Sequence, residues 1–169
     1  MPLFIKEEDV DSLIGIEDAI GALENAFRHW RIDGTQSLPR QRLSLPSPLR
    51  GFNVMAASLP AEDICGQKSY FGGCYHVMLY SISQKRLLAV IEASQLGAMR
   101  TGAASGVATR CLARDDAAVV GIIGTGKQAR TQLQAKHPVT AVAAVLGVCG
   151  GGELWRTYPQ HDRNRLGGQ

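Results

Sequence analysis

Apolar residues recur at three- and four-residue steps from Ile16 to Trp30. Ile16, Ala19, Ile20, Leu23, Phe27 and Trp30 share one face of a helix. Glu17 and Asp18 stand in its first turn, where the helix dipole favours negative charge, and Gly34 follows as a stop signal. Pro39, Pro46 and Pro48 break any helix between Ser37 and Gly51, so that stretch reads as extended and turning. Four runs of strand character come next: Phe52–Ser58, Cys65–Tyr70, His76–Ile82 and Leu87–Ile91. The last two flank a polar turn at Ser83–Arg86 and predict a hairpin. A mostly antiparallel sheet with the first helix packed on it fits this order.

A second long helix is predicted from Gln95 to Leu112. Its middle, Thr101-Gly102-Ala103-Ala104-Ser105-Gly106, is built of small side chains. A glycine inside a helix costs up to about 1 kcal/mol relative to alanine, so something should compensate. Close approach of a second backbone or a ligand is one reading, and ordinary tight helix packing is the other. Arg114-Asp115-Asp116 makes a polar turn, and Ala117–Ile123 is a continuous apolar run of the kind found in strands covered on both faces. That run leads directly into Gly124-Thr125-Gly126-Lys127-Gln128-Ala129. A helix is predicted from Lys127 to Lys136, ended by Pro138.

The G-x-G-x-x-A spacing acquires meaning from this strand–turn–helix context. Gly124 would allow the tight turn, Gly126 would let a pyrophosphate approach the backbone, and Ala129 would keep helix and sheet close. The helix start offers N–H groups and a positive dipole end to phosphates. A dinucleotide site of this kind usually has an acidic residue about 20 positions on, for the ribose. Between Arg130 and Gly152 there is no Asp or Glu, and Glu153 follows three glycines. NAD and NADP are therefore equally open as cofactors, and the second strand of the unit has no legible pattern.

Composition narrows the class. The 169 residues are 45% hydrophobic and 20% charged, normal for a globular protein with a real core. The net charge of +3 is spread along the chain, without basic clusters interleaved with aromatics, which argues against nucleic acid as a partner. No stretch approaches the roughly 20 apolar residues that span a bilayer. The start turns acidic at Glu7-Glu8-Asp9, unlike a signal peptide, so a soluble cytoplasmic protein without membrane partners is expected. Cys65, Cys74, Cys111 and Cys149 form no C-x-x-C pair and the four histidines lack metal-ligand spacing, so no metal site is expected and the thiols read as buried or incidental.

Arg100-Thr101-Gly102-Ala103-Ala104-Ser105, about twenty residues before Gly124-Thr125-Gly126-Lys127-Gln128-Ala129, resembles the signature of the ornithine cyclodeaminase/mu-crystallin family. Leu38-Pro39-Arg40, Gly51-Phe52-Asn53-Val54-Met55, Lys68 and Leu87-Leu88-Ala89-Val90-Ile91-Glu92-Ala93 agree with the same pattern in order and spacing. The likeness covers about residues 1 to 135. It implies an α+β substrate and dimerisation domain over 1–112, then the first βα unit of an α/β Rossmann-type dinucleotide-binding domain over 113–138.

The resemblance also implies chemistry. Arg40, Lys68 and Arg100 fall where the family holds the substrate carboxylate. Thr101 joins Gly124, Thr125, Gly126, Lys127, Gln128 and Ala129 at the cofactor, NAD or NADP. The implied reaction is hydride transfer at the carbon bearing nitrogen in a small amino or imino acid. In a cyclodeaminase hydride leaves and returns, with loss of ammonia, while a ketimine reductase uses only the return and an alanine dehydrogenase-like oxidoreductase is a further alternative. A non-catalytic ligand-binding or dimerisation module is another, and a homodimer is implied.

The pattern fades after about Ala135. The family's catalytic aspartate has no counterpart among these residues. Val139–Val148 is apolar without alternation, and Glu153–Gln169 has no apolar period. Residues 139–169 are accordingly expected to form an atypical tail, disordered or read out of frame, against the competing view of a genuinely short relative.

Overall fold

The structure is a computed structural model. It describes residues 1–49, 51–117, 119–124 and 126–136, together with strands at 144–148 and 154–155. The elements are β1 (Leu3–Ile5), α1 (Glu7–Leu13), α2 (Ile16–His29), β2 (Gln36–Ser37), β3 (Gln41–Ser44), β4 (Gly51–Leu59), β5 (Ile64–Phe71), β6 (Cys74–Ser81) and β7 (Arg86–Glu92). They continue with α3 (Ser94–Leu112), β8 (Val119–Ile123), α4 (Lys127–Lys136), β9 (Ala144–Val148) and β10 (Leu154–Trp155). The chain divides into two compact units, one of residues 1–15 and 24–97 and one of residues 16–23 and 98–169.

The first unit is built on a seven-stranded sheet ordered β1-β7-β6-β5-β4-β2, with β3 also on β4. Every pairing is antiparallel except β1 with β7. All four sequence-predicted strands are present; three are extended at both ends, and β6 starts two residues earlier and ends one residue earlier than expected, at Ser81. The β6–β7 hairpin forms as its polar turn predicts. A second hairpin joins β5 to β6 through Gly72 and Gly73, at φ 53° and 94°. A two-residue turn with φ positive at both positions matches the twist of the paired strands, and glycine adopts it without steric cost.

β1 and α1 have no counterpart in the periodicity of the sequence, because three and seven residues are too few to establish one. Glu7 anchors this segment. Its carboxylate accepts the backbone N–H of Ser94 at 2.9 Å and that of Gln95, so it caps α3 from a distant point in the chain. Glu92 in turn accepts the N–H of Glu7 at 2.9 Å. Another fastening lies at Asp63, in the left-handed conformation at φ 56°. Its carboxylate accepts the Ser81 hydroxyl at 2.6 Å, the Ser83 N–H at 2.7 Å and the Ser83 hydroxyl at 2.8 Å. These bonds, led by that from Ser81, hold the Asp63 carboxyl below the usual carboxylate range.

In the second unit the small-residue helix is explained by backbone contact. A methyl on Gly102 would overlap the Thr131 carbonyl oxygen and lie 2.6 Å from its carbon. A methyl on Gly106 would lie 3.0 Å from the Ala135 oxygen and 3.2 Å from Ile20 Cδ1. The glycines thus let α4 approach α3, and the buried Ile20 of α2 packs on α3. Helix α2 buries only Ala19 and Ile20, while Phe27 and Trp30 stay exposed and lie against each other, ring centroids 6.5 Å apart.

β8, α4 and β9 form a strand–helix–strand unit with β8 parallel to β9 from Val119↔Ala144 to Ile123↔Val148. The second strand therefore forms in the stretch where no alternation is legible. β10 then adds antiparallel to β9. The apolar run before the glycine turn is not covered on both faces as expected. Exposure alternates along β8, with Val119 60% and Ile123 93% exposed. The sheet has three strands among the described residues, with β8 at its edge. Residues 137–143, 149–153 and 156–169, which hold most of the expected tail, lie outside the described residues.

Candidate functional site

Strand β5 supplies the centre of the site in the first unit. Lys68 and Tyr70, two apart, point to the same side of the sheet. Across the Gly72–Gly73 turn, Tyr70 pairs with Tyr75 and Lys68 with Val77. The two tyrosine rings stack at 12°, centroids 5.5 Å apart. The buried Asn53, opposite Tyr70 on β4, donates its side-chain amide to the Tyr70 carbonyl at 3.4 Å and to the Gly51 carbonyl at 3.3 Å.

Two of the predicted cations meet here. Arg40, exposed just before β3, donates from Nη1 to the Tyr70 hydroxyl at 3.1 Å. The half-buried Lys68 carries its ammonium 5.8 Å from the Tyr70 ring centroid and 5.4 Å from that of Tyr75. Both distances lie within the range where an aromatic quadrupole attracts a cation. The same ammonium lies over the first turn of α3, where a methyl on Gly97 would be 2.6 Å from Nζ. Arg40, Lys68 and the positive end of α3 make this an anion-attracting corner, offset in part by the Glu7 carboxylate at the helix start.

Arg100 and Thr101 belong to the second unit, as does the glycine turn. Arg100 is exposed on α3. The Thr101 carbonyl accepts Gln132 Nε2 of α4 at 3.4 Å. Gly124 ends β8 at φ 100°, a conformation open to glycine and strained for other residues. At Gly126 a Cβ would meet no atom of the other described residues within 4 Å. Gly126, Lys127 and Gln128 are exposed, and the Ala129 N–H bonds the Gly126 carbonyl at 2.9 Å to start α4. The predicted Thr125 lies outside the described residues. A glycine at positive φ, an open backbone at Gly126 and a ten-residue helix behind them suit a dinucleotide pyrophosphate.

Tyr70, Tyr75 and Gly97 lie against Lys68 in this candidate site, and sequence reasoning missed them. The signal for the tyrosines was present in Tyr70-Phe71-Gly72-Gly73-Cys74-Tyr75. Read as a two-residue hairpin turn, the glycine pair places the tyrosines opposite each other.

Among the described residues no helix is long and apolar enough to cross a membrane, and no cluster of three or more His, Cys, Asp or Glu is placed to hold a metal.

The chain is similar to proteins of known activity. An alanine dehydrogenase from Archaeoglobus fulgidus is 32% identical over 153 residues, 85% of this chain and 47% of that protein. An archaeal alanine dehydrogenase dimer with bound NAD superposes with a TM-score of 0.78 at 31% identity, over 86% of this chain and 48% of that one. The Thermococcus litoralis Delta(1)-pyrroline-2-carboxylate reductase, solved with NADH and L-proline, gives 0.77 at 29% identity, again over 86% and 48%. The chain spans about half the length of the curated relatives it matches. A family model covers residues 2–147, into β9 and beyond the point where the pattern fades to the eye. The chain belongs to the ornithine cyclodeaminase/mu-crystallin family.

Proposed function

We propose that this chain provides the substrate-binding part and the first cofactor-binding unit of an NAD(P)-dependent enzyme. The enzyme transfers hydride at the nitrogen-bearing carbon of a small amino or imino acid. The observation that carries this reading is the pair of cations, Arg40 and Lys68, gathered on one sheet face by Tyr70. Arginine grips a carboxylate through two parallel hydrogen bonds, and lysine adds a compact charge. Arg100 is the third carboxylate ligand by family resemblance.

Thr101 and the segment Gly124, Thr125, Gly126, Lys127, Gln128 and Ala129 hold the dinucleotide, and both NAD and NADP fit this reading. When bound, the nicotinamide accepts or donates hydride at the substrate carbon. The residues of this chain orient the substrate through its carboxylate. The dehydrogenase and reductase among the relatives favour amine oxidation or imine reduction, and cyclising deamination begins with the same hydride step. Residues 1–112 form the substrate and dimerisation domain and 113–138 begin the dinucleotide domain. The protein is a cytoplasmic homodimer, a reading supported by the dimeric archaeal relative.

The test is a melting experiment with NADH, NADPH, L-alanine and L-proline, followed by assay of pyruvate with ammonia and of Δ1-pyrroline-2-carboxylate. A ligand at 100 times its Kd adds about 2.7 kcal/mol of stability, so binding is visible without turnover. Binding of a nucleotide and a carboxylate, weakened in Arg40→Gln and Lys68→Met, supports the reading. A stable dimer that none of these ligands shifts overturns it in favour of a dimerisation module.

A further inference from the structure

The Lys68 ammonium is enclosed from three directions by groups that no family likeness pointed to. Its distances to the two tyrosine centroids, 5.8 and 5.4 Å, and the 5.5 Å between those centroids make a nearly equilateral triangle. The third side is Gly97, in the first turn of α3. Outside its own helix backbone and among the described residues, a Cβ built there meets two atoms within 4 Å, Lys68 Nζ at 2.6 Å and Lys68 Cε at 3.9 Å. The missing side chain of Gly97 is thus the room the ammonium occupies. Glycine in a helix carries an intrinsic cost, which this position incurs for no neighbour other than Lys68.

We propose that Gly97, Tyr70 and Tyr75 are positioning residues that seat the Lys68 ammonium, and that the Tyr70 hydroxyl sets Arg40 beside it, so that the two cations present one fixed carboxylate clamp. This rests on the reading of Arg40 and Lys68 as carboxylate ligands. Lysine on a flexible four-carbon stem gains orientation only from what surrounds its head group. At the start of α3 the two ring faces attract the ammonium and favour one position for it. Tyr70 is the shared member, since its ring faces Lys68 and its hydroxyl accepts from Arg40.

Gly97→Ala separates positioning from folding. The added methyl meets no backbone, so the helix gains propensity and the melting temperature holds or rises. The flexible Lys68 head must move aside. Titration of the full chain with L-proline, followed by NMR, should show binding weakened roughly tenfold in Gly97→Ala and in Tyr70→Phe, which keeps the ring and loses the hydroxyl (about 1.4 kcal/mol). Without any ligand, the ε-methylene protons of Lys68 should be shifted upfield by the two rings, and should return toward ordinary values in Gly97→Ala and Tyr75→Leu. Binding lost in Lys68→Met but unchanged in Gly97→Ala and Tyr70→Phe overturns the seat and leaves the carboxylate reading standing. L-proline binding unaffected by Lys68→Met, or absent in the parent chain, overturns the carboxylate reading and the clamp with it. An unshifted Lys68 methylene in the parent overturns the seat whatever the ligand does.

Discussion

Gly102 of α3 faces the backbone carbonyl of Thr131 in α4 so closely that a methyl on its Cα would overlap the oxygen. Such contact is between two backbones, which yield less readily than side chains. Gly102→Ala should therefore destabilise the chain by about 1–3 kcal/mol through overpacking. Gly21, exposed in α2 with no atom within 4 Å of a built Cβ, is the control. Gly21→Ala should stabilise by up to about 1 kcal/mol, because only the helix-propensity effect is present. Urea unfolding of both variants checks the pair, and equal effects would remove close packing as the reason for glycine at 102.

Glu7 joins the chain start to α3. With Glu7→Ala the N–H groups of Ser94 and Gln95 lose their acceptor, at a cost of about 1–2 kcal/mol. Glu7→Gln keeps one good acceptor oxygen and should cost less. Amide exchange should accelerate at Ser94 and Gln95 in the alanine variant, while the protection of β5 and β6 is retained. Unchanged exchange at those two amides would mean that the cap contributes nothing.

The parts of this fold legible in the sequence are those whose physics is local and repeated. Helix α2 carries about four turns of apolar period, the strands β4 to β7 lie between turn residues, and Gly34 and Pro39 punctuate the chain. Helix α4 is legible because it starts at a glycine turn and lies just before a proline. What escaped depends on partners far away. β1 is a strand only because β7 is beside it, and α1 is held by residues more than 80 positions on. β9 carries no alternation and exists through its parallel pairing with β8.

The candidate site divides in the same way. The glycine turn announces itself, since Gly124 needs a conformation that glycine alone adopts easily. Arg40 and Lys68 carry no such mark, and by composition alone each would read as a solvated surface cation. Only the family resemblance singled them out. Their common neighbour Tyr70 is visible once the Gly72–Gly73 turn fixes which tyrosine faces which.

The Asp63 turn gives a pH signature with a definite sign. Its folded-state pKa is lowered by hydrogen bonds from Ser81 and Ser83, so its contribution is complete above the unfolded-state value, about 3.9 for aspartate. The contribution declines as pH falls below that value and is lost as pH passes through the folded-state value. Asn tolerates the left-handed conformation, so Asp63→Asn retains the turn while removing the charge. The variant should be less stable than the parent at pH 7, and the gap should close as pH falls below about 4. A gap of constant size from pH 7 to pH 3 would show that ionised Asp63 has no special role.

The two glycines of the Gly124–Gly126 turn should respond differently to alanine. Gly124→Ala forces a side chain to φ 100°, which costs about 1–3 kcal/mol of stability. Gly126→Ala meets no atom within 4 Å and has no left-handed backbone, so its stability should stay within about 0.5 kcal/mol of the parent. If that open space admits the pyrophosphate, the same methyl blocks its approach to the backbone and should lower NADH affinity at least about tenfold, or about 1.4 kcal/mol. Fluorescence titration with NADH at matched melting temperature makes the comparison. Undiminished affinity in Gly126→Ala would place the nucleotide elsewhere, because a pyrophosphate lying on this turn cannot share the space with a methyl group.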